Sequence, residues 1–242
     1  MRKLPQLPII RNIKSLMLMV EITISPKRAC KLNYDYFQRI FSQPTSGISW
    51  EPYKFQYAKI KEIMKPTEND NILDAGCGSG ELTYLFSKDN FKIRGFDSSE
   101  SSISKAMMRF EKKLFYQDDL INMKNLQTKY AKIFLNGVFL GIHPAFYTTV
   151  LKNLFTITIE NGTVYLFDNP DYSKRNINYS QFRMRARILN VVTHFFPAYK
   201  PDQSAFWVKT QNVKKSAHAA GFSMFEQLDS WSDHRTHYIL HK

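Results

Sequence analysis

Apolar residues follow two alternating patterns along the chain, short runs of strand length and stretches with helical spacing. The runs that predict strands are residues 72–75, 91–96, 114–117, 133–135 and 162–167, followed by 222–228 and 237–240. Short apolar runs without strict alternation are typical of strands covered on both faces. Strands that alternate with helices favour a mostly parallel α/β sheet with helices on both faces, whose ligands bind outside the carboxyl ends of the strands.

Between these runs, apolar residues recur every three or four positions, which predicts amphipathic helices. The stripe before the first strand is Tyr53, Tyr57, Ile60 and Met64. The stripe after the second strand is Ile103, Ala106, Met107 and Phe110, and the one after the fourth is Tyr147, Val150, Leu151 and Leu154. We expect Asp97, with Glu100 three residues later, to cap the second of these helices. We expect Pro144 in the first turn of the third, and a last helix that Asn212 caps and Gly221 closes.

The same patterns indicate how the chain is divided. We predict an N-terminal arm with helices over residues 1–65 and one α/β domain over residues 66–242. Residues 169–210 fit neither pattern, and we interpret them as an insertion after the fifth strand that forms a lid. Residues 168–172, at its start, predict a turn because Asp, Asn and Pro favour turns.

Composition excludes several classes of protein. The chain has 242 residues, 43% of them hydrophobic, and only two cysteines, Cys30 and Cys77. Two cysteines cannot form a disulfide framework or a CxxC metal site, so a reducing, cytoplasmic location is expected. The longest apolar stretch, residues 16–24, contains Glu21 and is too short for a transmembrane helix. We expect no transmembrane segment, although residues 9–24 could contact a membrane surface or a partner.

The formal net charge of +13 is unevenly distributed along the chain. Residues 1–65 carry +8, residues 66–168 carry −1 and residues 169–242 carry +6. Nucleic acid, an anionic membrane surface or an anionic small substrate would each suit the basic flanks.

Three of the nine glycines lie between the first strand and the next helix, in Asp74-Ala75-Gly76-Cys77-Gly78-Ser79-Gly80. Glycines there allow positive φ angles and let a ligand approach the backbone. The loop is not a dinucleotide fingerprint, since the last position of G-x-G-x-x-G is Glu81 or Thr83, and it lacks the Gly-Lys-Ser/Thr of a phosphate-binding P-loop. A tight strand-to-helix turn is the alternative interpretation.

Two acidic residues follow the next strands in order. Asp97 ends the second strand, where a carboxylate can accept both hydroxyls of a ribose, and Asp118 follows the third, near where an adenine edge would lie. Each acid alone could be a helix cap or a solvated turn residue. Their joint placement after the glycine loop favours a nucleoside-containing ligand.

At these residues the sequence resembles the class I S-adenosylmethionine-dependent methyltransferases. Further matches are Asn136-Gly137-Val138 after the fourth strand and Ala220-Gly221-Phe222 before the closing strands. The resemblance implies a Rossmann-like sheet of seven strands and S-adenosylmethionine as cofactor. It also implies three sets of cofactor contacts. The methionine part would be held by Asp74, Gly76, Cys77, Gly78 and Gly80, the ribose by Asp97 beside Ser98, and the adenine by Asp118, Asp119 and Leu120, with Asn136 completing the set.

The reaction of that family is attack of an acceptor atom on a sulfonium methyl group. A hydroxyl acceptor usually needs a general base, and His143, beyond the fourth strand, is the candidate. An N-cap before Pro144 is an equally good interpretation of His143. No pair of residues has metal-ligand spacing, so no metal site is predicted.

For the acceptor we expect a small molecule or glycan-type compound with an O or N nucleophile, and the basic flanks favour an anionic one. The predicted lid carries rings and cations that could contact it or merely pack on the sheet, namely Tyr172, Tyr179, Arg183, Arg187, Tyr199 and Trp207. The alternatives are a methyltransferase for RNA or DNA, which the basic flanks allow, and a non-catalytic module that binds S-adenosylmethionine.

Overall fold

A computed structural model describes residues 50–174, 199–200 and 205–242. The strands of its main sheet are β1 (Asn71–Ala75), β2 (Lys92–Asp97), β3 (Phe115–Gln117), β4 (Tyr130–Asn136), β5 (Thr158–Pro170), β8 (Met224–Asp229) and β9 (Arg235–His241). These seven strands have the order β3-β2-β1-β4-β5-β9-β8 and are parallel except for β9. The seven-stranded Rossmann-like sheet predicted from the sequence is therefore confirmed.

Five helices accompany the sheet in the described residues. They are α1 (Glu51–Met64), α2 (Glu81–Lys88), α3 (Glu100–Arg109), α4 (Tyr147–Ile157) and α5 (Thr210–Ala220). Alternate residues of each buried strand face opposite sides of a sheet, and the core is divided accordingly. Leu73, Ile133 and Leu166 pack with α4 and α5, whereas Ile72 and Phe134 pack with α1 and α2. Helices thus cover both faces, as predicted.

The ends of three helices differ from the expected ones. Ser99 rather than Asp97 caps α3, because its Oγ accepts a hydrogen bond from the N–H of Ser102 (3.1 Å). Helix α5 begins two residues before Asn212, with Lys209 at its N-cap and no side-chain cap. Pro144 opens a short 3-10 turn (Pro144–Phe146) that leads into α4. The predicted end at Gly221 is confirmed, with φ 108°.

The region predicted as an insertion is described only in part. Strand β5 continues to Pro170, and Asp171 then forms a parallel bridge with Val208. A small hairpin pairs β6 (Tyr199–Lys200) with β7 (Ala205–Phe206), and Phe206 and Trp207 are buried. Residues 1–49 of the arm predicted over residues 1–65 lie outside the described residues, as do the lid residues Tyr179, Arg183 and Arg187.

Candidate active site

The glycine loop lies at the carboxyl edge of the sheet, between β1 and α2. The N–H groups of Gly76 and Cys77 both donate to the carbonyl oxygen of Phe96 (2.8 and 2.9 Å), which ties the loop to the end of β2. Ligands of parallel α/β sheets bind at this edge. The loop is therefore held at the place where a bound ligand would contact it.

The backbone of the loop requires glycine. Gly76, Gly78 and Gly80 have φ angles of 90°, 54° and 87°, a region that other residues adopt at a cost. A Cβ atom at Gly76 would lie 2.5 Å from Cγ2 of Val138, and one at Gly80 would lie 2.6 Å from Cε1 of Phe115. The loop consequently packs closely against β3 and the segment after β4, in a shape that only glycine allows.

Asp97 connects the glycine loop to the end of β2. Its Oδ2 accepts a hydrogen bond from the N–H of Gly78 (3.0 Å), and its Oδ1 accepts one from the N–H of Ser99 (2.8 Å). Burial raises the pKa of Asp97, and these hydrogen bonds oppose that rise. The carbonyl of Ser98, the next residue, accepts a hydrogen bond from Nε2 of Gln117 (3.1 Å). The Asp97 carboxylate is thereby fixed between the glycine loop and the segment that follows β2.

Asp74, in β1, and Cys77, within the loop, are both buried. The hydroxyl of Thr83 donates to Oδ2 of Asp74 (2.7 Å), and Asp74 is only 2% exposed. Burial, with the neighbouring charges of Asp97 and Glu81, raises the pKa of Asp74 to about 7. Burial also raises the pKa of the Cys77 thiol, so this cysteine is not a nucleophile at neutral pH.

We expect the stability of the protein to depend on pH through Asp74. The unfolded carboxyl ionises near pH 4, but the folded one keeps its proton to about pH 7, so the free energy of unfolding falls as pH rises between these values. Asp74→Asn should remove this slope and gain up to about 4 kcal/mol on wild type between pH 4.5 and pH 8. Urea unfolding at both pH values measures it, and a difference between the two proteins that is independent of pH would contradict it.

Acidic groups dominate the electrostatics around the loop. Glu81 is 3% exposed and accepts hydrogen bonds from the hydroxyl of Ser79 (2.7 Å) and from the guanidinium of Arg109. The Arg109 guanidinium offsets the charge of Glu81, and Asp74 keeps its proton to about pH 7, so Asp97 carries the remaining negative charge. A phosphate would be repelled here, whereas a cationic group such as a sulfonium or an ammonium would be stabilised. These acceptor groups suit the cationic methionine part of S-adenosylmethionine.

The loop after β3 is organised by Asp118. Its carboxylate accepts hydrogen bonds from the N–H groups of Asp119, Lys124 and Asn125 and from Nδ2 of Asn125, at 2.8 to 3.0 Å. Burial raises the pKa of Asp118, but these bonds outweigh it and hold the pKa below its ordinary value. The carbonyl of Leu120 accepts a hydrogen bond from Nδ2 of Asn153 (2.9 Å). A carboxylate has about four acceptor positions, and the four hydrogen bonds from its own loop fill those of Asp118.

Asn136 ends β4 and faces α1. Its Nδ2 donates to Oε1 of Gln56 (3.2 Å), while its Oδ1 is buried and has no hydrogen-bond partner among the described residues. A buried amide oxygen without a donor costs free energy unless a ligand supplies one. Gln56 was not predicted from the sequence, because nothing in the spacing of α1 indicates a contact with a residue 80 positions away.

His143 lies at the start of the 3-10 turn before α4. Its Nδ1 accepts a hydrogen bond from the N–H of Ala145 (3.2 Å), and its ring packs edge-on against Phe206 with centroids 5.1 Å apart. Burial lowers the pKa of His143, which keeps the imidazole neutral at neutral pH. The capping interpretation is therefore confirmed. Because Nδ1 is the acceptor nitrogen of the neutral ring, Nε2 carries the hydrogen, and His143 can take up a proton only at Nδ1, by giving up the hydrogen bond from Ala145.

A second group of polar side chains at this edge surrounds Asp168. The turn predicted over residues 168–172 is partly replaced by β5, which continues to Pro170. Asp168 has a left-handed backbone (φ 59°) and its N–H donates to Nδ1 of His237 (3.0 Å). Arg235 Nη1 donates to the carbonyl oxygen and to Oδ2 of Asp168 (2.7 and 3.0 Å). A Cβ atom placed on Gly137 would lie 3.9 Å from that Oδ2, so the carboxylate lies beside the end of β4. Strained residues of this kind concentrate at functional sites.

Two kinds of feature are absent from the described part of the chain. Histidine, cysteine and carboxylate side chains do not gather there in groups of three that could hold a metal ion. No helix in those ranges is both long and apolar enough to span a bilayer.

Comparison with known proteins assigns the family. A family model described as a methyltransferase domain matches residues 66–194. A magnesium protoporphyrin IX methyltransferase from Synechocystis PCC 6803, solved with bound SAH, is 16% identical, covers 90% of this chain and 97% of its own, and has a TM-score of 0.56. An S-adenosylmethionine-dependent methyltransferase from Clostridium acetobutylicum is 15% identical, with coverage of 86% and 98% and a TM-score of 0.56.

A third structure, titled a possible histamine N-methyltransferase from Thermotoga maritima, is 12% identical, covers 80% of this chain and 91% of its own, and has a TM-score of 0.55. No curated protein sequence matches. At these identities the structures show the shared fold, and the family model, which spans more than half of the chain, shows the family. The protein belongs to the class I S-adenosylmethionine-dependent methyltransferases, and S-adenosylmethionine is its methyl donor.

Proposed function

We propose that the protein transfers the methyl group to an oxygen or nitrogen of a small-molecule or glycan-type acceptor. The observation that carries this proposal is the group of hydrogen-bonding side chains beside the cofactor site, at the ends of β4 and β5. Asn136 and Asp168 lie at these ends, and His143 follows β4, at the start of the 3-10 turn before α4. Polar groups that can accept a proton or a hydrogen bond suit a nucleophile that carries hydrogen.

Within this proposal, the chain's own residues bind and align. The bound cofactor supplies a methyl group already activated by its positive sulfur, so the protein mainly provides proximity and excludes water. We assign Asp74 and the backbone from Gly76 to Gly80 to the methionine part, and Asp97 with Ser98 to the ribose. Asp118 fixes the loop whose residues Asp119 and Leu120 border the adenine.

On the acceptor side, we propose that Asp168 accepts a hydrogen bond from the hydroxyl or amine of the acceptor. Arg235 bonds both the carbonyl and the carboxylate of Asp168, so the side chain is held in one orientation. Burial lowers the pKa of His237 to about 4, so its neutral ring accepts the N–H of Asp168 throughout the physiological range.

His143→Asn separates the two roles of His143. Asparagine is a good N-cap and can accept the N–H of Ala145, so we expect the melting temperature to change by less than about 3 °C. It cannot act as a base near neutral pH, and general-base catalysis contributes roughly a hundredfold or more. We therefore expect methyl transfer to fall at least about thirtyfold with unchanged cofactor affinity. Unchanged transfer would leave His143 with the capping role alone.

Transfer of tritium from methyl-labelled S-adenosylmethionine tests the proposed function. The purified protein is incubated with a cell extract, which is then separated into small molecules, glycans, nucleic acid and protein. We expect label in the small-molecule or glycan fraction, stable to mild alkali because ethers and methylamines resist it. Label released as methanol would indicate a methyl ester and contradict the proposal, and absence of label from every fraction would favour a non-catalytic binding module.

A nucleic-acid acceptor is the second candidate function. The observation that favours it is the excess of basic over acidic side chains in residues 169–242, which is +6. In the same experiment it predicts label that becomes soluble only after nuclease digestion.

A further inference from the structure

Asp74 is a buried carboxyl group near the end of β1. Its side chain is 2% exposed, and the hydroxyl and backbone of Thr83 supply its hydrogen bonds, the first at 2.7 Å from Oδ2. Among the described residues, no lysine, arginine or histidine forms an ion pair with it. Its register partners on the neighbouring strands are Gly95 of β2 and Phe134 of β4, which have no polar side chain. Ionisation of Asp74 in these surroundings is unfavourable unless a positive charge comes close.

The charged groups around Asp74 add to this cost. Glu81 of α2 is offset by Arg109 of α3, so within the described ranges the charge left beside Asp74 is that of Asp97 on β2. Burial and these neighbouring acids raise the pKa of Asp74 to about 7, so near neutral pH a new charge nearby can move its proton. Burial also raises the pKa values of two further titratable groups and keeps them neutral, namely Cys77 of the loop and Tyr53 of α1.

The two forms of the cofactor differ by one charge. S-adenosylmethionine carries a sulfonium cation, whereas S-adenosylhomocysteine has a neutral thioether, and the amino acid and nucleoside ends are the same in both. The glycine loop, to which we assign the methionine part, directly follows β1 and Asp74. A cation near a carboxyl group favours its ionised form, and loss of the cation favours the return of the proton.

We propose that Asp74 releases its proton when S-adenosylmethionine binds and keeps it when S-adenosylhomocysteine binds. Exchange of bound S-adenosylhomocysteine for S-adenosylmethionine then releases one proton from Asp74 to the solvent. In acid the methyl donor must displace this proton, so its affinity falls relative to that of the product. Asp74 thereby sets how strongly the product competes with the methyl donor. The proposal rests on the placement of the methionine part at the glycine loop, which Gly76→Ala tests separately.

Isothermal titration calorimetry at pH 7 in phosphate and in Tris, which differ in ionisation enthalpy, counts the protons released on binding. About half of the free protein carries the Asp74 proton at this pH. We expect S-adenosylmethionine to release about 0.4 proton more from wild type than from Asp74→Asn, and S-adenosylhomocysteine to release equal numbers from both. The amino group of each ligand titrates at about pH 8 and contributes equally to the two proteins, so the difference isolates Asp74.

The affinities provide a second measurement. In wild type, the affinity for S-adenosylmethionine divided by that for S-adenosylhomocysteine should rise about fourfold between pH 5.5 and pH 7, as expected if the sulfonium lowers the Asp74 pKa by about one. In Asp74→Asn this ratio should stay constant within about 1.5-fold. The control is Asp89→Asn, which removes an exposed carboxylate that pairs with Lys61 and should keep the rise seen in wild type.

Three outcomes would overturn the proposal. Equal proton release from wild type and Asp74→Asn on binding S-adenosylmethionine would mean that Asp74 does not titrate. The same excess release with both ligands would assign it to their common parts and not to the sulfonium. A constant affinity ratio in wild type would exclude the proposal even if Asp74→Asn bound neither ligand. Binding is measured without an acceptor, so each result is independent of the test of methyl transfer.

Discussion

Replacing Asp97 with asparagine is expected to lower the affinity for S-adenosylhomocysteine by at least about thirtyfold. A hydrogen bond to a charged group contributes about 1.5–3 kcal/mol, and a tenfold change in affinity corresponds to about 1.4 kcal/mol. The carboxylate also accepts the N–H groups of Gly78 and Ser99 on its two oxygens. An amide has one acceptor oxygen, so its NH₂ group would face one of these donors and disturb the glycine loop.

Isothermal titration calorimetry measures this effect, with Asp89→Asn as the control. Asp89 is an exposed carboxylate on the surface near α2, where it accepts hydrogen bonds from Tyr57 and Lys61. The control removes the same charge without touching the glycine loop, so its affinity for S-adenosylhomocysteine should equal that of wild type. If Asp97→Asn bound the ligand as tightly as the control, the assignment of Asp97 to the ribose would be wrong.

Gly76→Ala is expected to lower stability by about 3 kcal/mol and to abolish measurable cofactor binding. A positive φ angle costs alanine roughly 1–2 kcal/mol, and overpacking costs about 1–3 kcal/mol more. The new Cβ would lie 2.5 and 2.9 Å from the two Cγ atoms of Val138, a branched side chain with little freedom to move. The loop can relieve this contact only by shifting away from the ends of β2 and β4, where the ligand binds.

Gly221→Ala is the matched control for Gly76→Ala. Gly221 also has a positive φ angle, 108°, and a Cβ atom there would lie 3.0 Å from the ring of Phe155. It ends α5, between that helix and β8, away from the glycine loop. Urea unfolding should show a loss of stability in both variants, while calorimetry should show loss of cofactor binding in Gly76→Ala alone. Loss of binding in both variants would attribute the effect to general destabilisation.

The sequence determined the architecture because the patterns that encode strands, helices and glycine turns involve only residues close together in the chain. A run of apolar residues predicts a strand by burial alone, and the positions of the seven strands agree with the predicted runs within a few residues. The glycine loop is likewise encoded locally, since positive φ angles depend on the residue type at each position. These features placed Asp74, Asp97 and Asn136 at the carboxyl edge of the sheet.

Only the tertiary structure decided which atoms those residues contact. Asp97 had the spacing of a helix cap, but its oxygens accept from Gly78, which is 19 positions earlier, and from Ser99. Asp168 was expected in a turn, but it is held by Arg235, 67 positions later. Hydrogen bonds between distant residues form only after the chain has packed, and their energies depend on burial that no local pattern contains.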